Sequence, residues 1–234
     1  MPGYQTRQQQ VAIRGADSLL IRSLLDRQQY ADPDGRAEAA GFSSATWPLF
    51  GMLWPSGLQL AAHMAARPLK AGERILEVGC GLALASLVCH RRGIDVTASD
   101  AHPLAPDFLR DNLSLNALAP LVYRRGDWAG RAGVPAAAHP ADAAPVQGRF
   151  DVIMGSDVLY ERDEQGHLAR FVERHAEPDA EVLIVDPDRG NRPAFTRRMS
   201  GLGFVLHETT LRTPEADGLP YRGRLLRYSR TAPA

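Results

Sequence analysis

The short apolar run Arg74-Ile75-Leu76-Glu77-Val78 ends in Gly79-Cys80-Gly81. Glycines at the end of a strand let the backbone pass close to a ligand. A tight strand-to-helix turn accounts for a Gly-x-Gly pair without any ligand, so the glycines alone decide nothing. A second acid adds to them: Asp100 ends the next apolar run, 19 residues after Gly81. At that spacing a carboxylate can take both hydroxyls of an adenosine ribose. The rival ligand is a nicotinamide dinucleotide. Its Gly-x-Gly-x-x-Gly fingerprint fails here, because counting from Gly79 puts Leu84 in the place of the last glycine. Glu77 argues against it as well. A fixed negative charge at the strand end repels a pyrophosphate and suits a ligand that carries an ammonium or sulfonium group.

These residues need a sheet to hold them. From residue 73 onward, strand and helix patterns alternate. Strands are expected at 74–78, 95–100, 121–125, 150–157, 181–186, 204–209 and 224–228. Helices are expected at 82–92, 104–118, 164–177 and 193–200. Such alternation predicts an α/β fold: a Rossmann-like, doubly wound, mostly parallel seven-stranded sheet with helices on both faces. In such sheets ligands bind at the carboxyl ends of the strands, where the strand order switches. Ahead of this core, Gln10-Val11-Ala12-Ile13 and Leu19-Leu20-Ile21 flank a turn and predict an N-terminal hairpin over residues 8–25. Asp32-Pro33-Asp34-Gly35 is a further turn. Trp47-Pro48-Leu49-Phe50-Gly51-Met52-Leu53-Trp54-Pro55 is too broken by proline for a simple helix. Ser56 reads as the cap of a helix over 57–66. The division expected is an extension at 1–46, hairpin and candidate lid, and a domain at 47–234. A Pro/Ala-rich insert at 129–149 reads as a surface loop.

Bulk composition narrows the partners. The chain has 234 residues, 44% of them hydrophobic, with 27 Lys+Arg against 27 Asp+Glu. This balance supplies no general electrostatic attraction to nucleic acid, so no nucleic-acid partner is expected. The two cysteines and seven histidines have no metal-ligand spacing, and no metal is expected. No secretion signal and no run of 18 apolar residues is present, so no membrane partner is expected and the location expected is cytoplasmic. His102, two residues past Asp100, is a candidate neighbour of a bound nucleotide.

Ile75-Leu76-Glu77-Val78-Gly79-Cys80-Gly81 resembles motif I of the class I S-adenosylmethionine-dependent methyltransferases. Leu53-Trp54-Pro55-Ser56-Gly57, Asp111-Asn112-Leu113-Ser114-Leu115-Asn116 and Ser156-Asp157-Val158-Leu159-Tyr160 narrow the likeness to the seven-β-strand protein methyltransferases grouped as methyltransferase family 16. Val185-Asp186-Pro187-Asp188-Arg189 and Trp54-Pro55-Ser56-Gly57 look most like the lysine methyltransferases of the electron-transfer flavoprotein β subunit. The resemblance spans roughly residues 47–228. It implies S-adenosylmethionine as cofactor, with Trp54, Glu77, Gly79, Gly81, Asp100, Asp127, Trp128 and Ser156 as its contacts. Glu77 would orient the start of the first core helix and, through the loop, the methionine part. Trp128 would offer a flat face to adenine. Ala83 departs from the family, many members of which have a third glycine there. Asn112 and Asn116 read as amides that fix a helix end.

The resemblance also implies an acceptor channel beside Asp157 and Tyr160, the candidate catalytic pair. Asp157 would hold and orient an incoming ammonium, and Tyr160 would wall the channel. Asp186 and Arg189, after the fifth strand, would either touch substrate or pair with each other. The expected function is methylation of a protein lysine. A small-molecule N-methyltransferase and a noncatalytic S-adenosylmethionine-binding module are the alternatives. The partner expected is a protein substrate, with a small-molecule acceptor as the other case.

Overall fold

The computed structural model describes residues 3–68, 70–126, 128, 143–213 and 220–230. Asp127 and most of the insert expected at 129–149 lie outside the described residues. Strands β3 (Arg74–Val78), β4 (Asp95–Asp100), β5 (Val122–Arg125), β6 (Phe150–Ser156), β7 (Ala176–Asp186), β8 (Val205–Thr213) and β9 (Tyr221–Ser229) form one sheet in the order β5-β4-β3-β6-β7-β9-β8. All pairs from β5 to β7 are parallel, and β9 runs antiparallel between β7 and β8. This is the doubly wound, seven-stranded sheet the alternation predicts. The chain leaves β3 toward β4 and β5, then returns to β6 on its other side. The switch of direction therefore lies between β3 and β6, and a crevice opens at their carboxyl ends.

The inner strands are buried on both faces, and successive residues serve opposite cores. Ile75 joins a core with α2 (Pro55–Ala66), α3 (Leu84–Arg91) and α4 (Ala105–Leu115), whereas Leu76 joins the core under α5 (His167–His175) and α6 (Arg192–Gly201). In β7, Leu183 and Val185 face the first core, and Val182 and Ile184 the second. Strict alternation at period two is what a strand must do to cover helices on both sides.

The hairpin expected at 8–25 is present and runs from Thr6 to Leu24. β1 (Thr6–Ile13) pairs with β2 (Ala16–Leu24), and Arg14-Gly15 turns between them, with Gly15 at φ 85°. Leu19, Ile21 and Leu24 are fully buried in the first core. The amides of Asn112 and Asn116 do more than fix a helix end. Asn112 Oδ1 accepts the Arg22 N–H at 2.7 Å, and its Nδ2 donates to Arg22 O at 3.4 Å. Asn116 Oδ1 accepts the Leu20 N–H at 2.9 Å, and its Nδ2 donates to Leu20 O at 2.8 Å. Four helical residues advance about 6 Å and two strand residues about 6.7 Å, so amides one turn apart on α4 match alternate peptides of β2. The free edge of β2 is thus paired by side chains.

After the hairpin, α1 (Arg36–Ala39) and a short 3-10 helix (Trp47–Gly51) lead into α2. Ser56 is not the cap of α2. The helix starts at Pro55, whose fixed φ and missing N–H suit a first helical position, and the Ser56 hydroxyl lies 3.1 Å from Tyr221 Oη instead. Among the described residues no helix is long and apolar enough to cross a membrane.

Candidate cofactor and acceptor site

At the end of β3, Glu77 is buried and its Oε2 accepts the Ser86 N–H at 2.9 Å and the Ser86 hydroxyl at 2.5 Å. Ser86 lies in the first turn of α3, so this acid satisfies a donor that the helix start leaves open. Burial pushes the Glu77 carboxyl up to about 7, against the two Ser86 hydrogen bonds and with some help from Asp100. Gly79 and Gly81 both have positive φ, 60° and 51°. A Cβ on Gly79 would stand 2.8 Å from the Trp128 ring and 2.9 Å from Val158 Cγ1, and one on Gly81 would stand 2.8 Å from Phe50 O. Ala83, where the third glycine would be, caps α3 at φ 58°. The left-handed backbone costs about 1 kcal/mol or more for a residue with a Cβ. Its methyl group is fully buried, which returns about 0.8 kcal/mol, so alanine is tolerated.

Asp100 ends β4, next to β3. Its Oδ2 accepts the Gly81 N–H and its Oδ1 the His102 N–H, both at 2.9 Å. A carboxylate has about four acceptor positions, so these contacts leave acceptor capacity for a ligand. Burial raises the Asp100 pKa, against three backbone hydrogen bonds. Ser99 donates to Glu77 O at 2.7 Å, tying β4 to β3, and Tyr123 in β5 donates to Asp100 O at 3.0 Å, tying β5 to β4. His102 does not border the cavity. Its ring stacks on Phe50 at 3.7 Å, one layer behind the wall, and burial pushes its pKa down to about 3.

After β6, Asp157 adopts φ 57° and its N–H bonds Val185 O at 3.0 Å. Its carboxylate is not alone. Arg189 Nη1 lies 2.8 Å from Oδ1, while Oδ2 is buried with no hydrogen-bond partner among the described residues. Burial raises the Asp157 pKa, opposed by the nearby Ser56 hydroxyl and by Arg189. Asp186 does not pair with the Arg189 guanidinium; its Oδ1 accepts the Arg189 backbone N–H at 2.8 Å. Of the arginines after β7, Arg192 pairs with Glu208, and Arg198 donates to Glu164 O.

A cavity of about 360 Å³ opens over these strand ends. It is lined by Trp54, Glu77, Gly79, Gly81, Asp100, Trp128, Ser156, Asp157 and Tyr160. The cofactor contacts implied by the resemblance, Asp127 apart, and the pair Asp157 and Tyr160 therefore meet in one space, whereas His102 and Asp186 are not among its lining residues. Arg189, one of the residues expected either to touch substrate or to pair with Asp186, lines it too, and so do Arg27, Phe42, Thr46 and Phe50, which the sequence does not single out. The signal of these four is tertiary: they come from the segment before α2. The volume is that of a small-molecule site. Its two positive-φ glycines, its oriented acid with spare acceptor positions and its tryptophan face fit an adenosyl ligand with a cationic tail.

The methyltransferase-domain family matches residues 55–219, most of the chain. The chain belongs to that family. S-adenosylmethionine is the methyl donor of class I methyltransferases, and the cavity of this methyltransferase-family chain lies where their fold puts a ligand. Among curated proteins, the electron transfer flavoprotein beta subunit lysine methyltransferase of Xenopus laevis is 27% identical over 145 residues, which are 61% of this chain and 53% of that one. EEF1A lysine methyltransferase 3 of Mus musculus is 25% identical over 185 residues, 78% of this chain and 74% of that one. The chain spans about half the length of the first of these. Among solved structures, the magnesium protoporphyrin IX methyltransferase of Synechocystis with bound SAM superposes with a TM-score of 0.56 at 17% identity, over 75% of this chain and 78% of that one. At that identity the likeness is one of fold.

Proposed function

We propose that this chain transfers a methyl group from S-adenosylmethionine to the side-chain amine of a protein lysine. One observation carries the reading: the acids Glu77 and Asp100 share a cavity with Asp157 and Tyr160. Lysine methyltransferases among the relatives support it. Residues 47–234 form the methyltransferase domain in this reading, with 1–46 supplying part of the cavity wall. Asp100 holds the ribose, Gly79 and Gly81 leave room for the tail, Trp54 and Trp128 flank the ligand, and Ser156 lies beside them.

When bound, S-adenosylmethionine supplies an electrophilic methyl group on a positively charged sulfur. The attacking amine must be neutral, and with a pKa of about 10.4 only about one free lysine in two thousand is neutral at pH 7. The paired state of Asp157 bears on this. A lone carboxylate would favour the ammonium form, whereas the Asp157–Arg189 pair is close to neutral and does not. Asp157 Oδ2 accepts an N–H of the amine and aims its lone pair, and Tyr160 walls the approach. The amine proton leaves to water. Orienting the two reactants in this way removes much of the entropic barrier.

The test is incubation of the full chain with methyl-labelled S-adenosylmethionine and lysate, followed by separate protease and nuclease digestion. Label released by protease and recovered as methyl-lysine is the expected result. Label released by nuclease, or found only in small molecules, contradicts the lysine acceptor.

A further inference from the structure

The cavity lining holds four acids, Glu77, Asp100, Asp157 and Glu161, and two cations, Arg27 and Arg189. The cofactor named above ends in an amino acid whose α-carboxylate is negative. Glu77 and Asp100 in the floor repel that group, and Arg189 is engaged by Asp157 at 2.8 Å. Arg27 differs from Arg189. Among the described residues its contact is with an aromatic ring, the guanidinium carbon lying 5.0 Å from the Trp54 ring centroid. A guanidinium over an aromatic face keeps its in-plane N–H fork available, and that fork matches a carboxylate. Trp54 also precedes the first turn of α2, and Gly57 in that turn lines the cavity as well.

We infer that Arg27 binds the α-carboxylate of the cofactor's amino-acid end, with Trp54 positioning the guanidinium. This rests on the S-adenosylmethionine reading and extends it. The segment between the hairpin and α2 becomes part of the cofactor site rather than packing alone.

The test is calorimetric titration of S-adenosylhomocysteine and of 5′-methylthioadenosine, which keeps the adenosyl part and lacks the amino acid. The proteins are the full chain and its Arg27→Ala and Arg27→Lys variants. Arg27 is exposed, so its removal leaves the core intact. Arg27→Ala is expected to weaken S-adenosylhomocysteine by about tenfold or more, the loss of a charge-assisted contact. Its affinity for 5′-methylthioadenosine should stay within about twofold of the parent. Arg27→Lys, which keeps the charge and loses the fork, should fall between. Equal losses for both ligands, or no loss for either, would overturn the inference while leaving the cofactor reading intact. A parent chain that binds neither ligand would overturn both.

Discussion

Arg189 Nη1 stands 2.8 Å from Asp157 Oδ1 and ties the end of β6 to the loop after β7. The pair places the candidate acceptor acid on the side of the cavity away from the ribose acid Asp100. Asp157→Ala is therefore expected to cut methyl transfer on the order of a hundredfold, the scale of a misoriented reactant. S-adenosylhomocysteine affinity should stay nearly unchanged. Turnover and calorimetric affinity measured on the same preparation check this. A fall in affinity as large as the fall in turnover would assign Asp157 to the cofactor site or to the fold.

The side-chain pairing of the β2 edge predicts a graded stability effect. Asn112 is fully buried, and Asn112→Ala strands the Arg22 peptide groups in a part-buried setting. A loss of about 2 kcal/mol is expected in urea unfolding, because buried donors and acceptors left unpaired carry their full desolvation cost. Asn116→Ala should cost less, about 1 kcal/mol or below, because the Leu20 peptide lies at an exposed position where water can replace the amide. No loss at either position would mean that the hairpin is held by apolar packing alone, and a larger loss at Asn116 would contradict the ranking by burial.

The sheet was legible because period-two apolar runs and glycine stops are local signals, and the loop acids come with them. Glu77 and Asp100 lie at strand ends that any reading of the pattern finds. Helix starts were less legible. Ser56 looks like a cap, yet Pro55 opens α2. α5 begins at His167 rather than Glu164, because Gly166 turns at φ 72° and Asp163 accepts both the His167 and the Leu168 N–H. Contacts that depend on strand neighbours were invisible. Arg189 meets Asp157 only because β6 and β7 run parallel side by side, and Asn112 meets Arg22 across ninety residues of chain. Arg27 reaches the cavity through the path of the segment before α2, which has no periodicity to read.

Glu77 makes a prediction about pH. Its folded pKa of about 7 lies above the ordinary value of 4.5 because of burial. Between these values the folded chain keeps a proton that the unfolded chain has released. Unfolding then releases a proton, so this group's contribution makes stability fall as pH rises from about 4.5 to about 7. Glu77→Gln cannot titrate. The difference in urea midpoint between parent and Glu77→Gln should move in favour of the variant across that window, while the other buried acids, common to both proteins, cancel. A difference that stays flat with pH would mean that Glu77 is ionised throughout in the folded chain.

The cavity at the ends of β3 and β4 fits an adenosyl ligand with a cationic or zwitterionic tail rather than a dinucleotide. The most direct test of this is calorimetric titration of the folded chain with S-adenosylmethionine, S-adenosylhomocysteine and NAD, repeated with Asp100→Asn. Both adenosyl ligands should bind at one site per chain and NAD should give no heat. Asp100→Asn should weaken both adenosyl ligands by about 1.5–3 kcal/mol, the worth of hydrogen bonds to a charged acceptor. Binding of NAD in their place, or no heat from either adenosyl ligand on folded protein, would contradict the account.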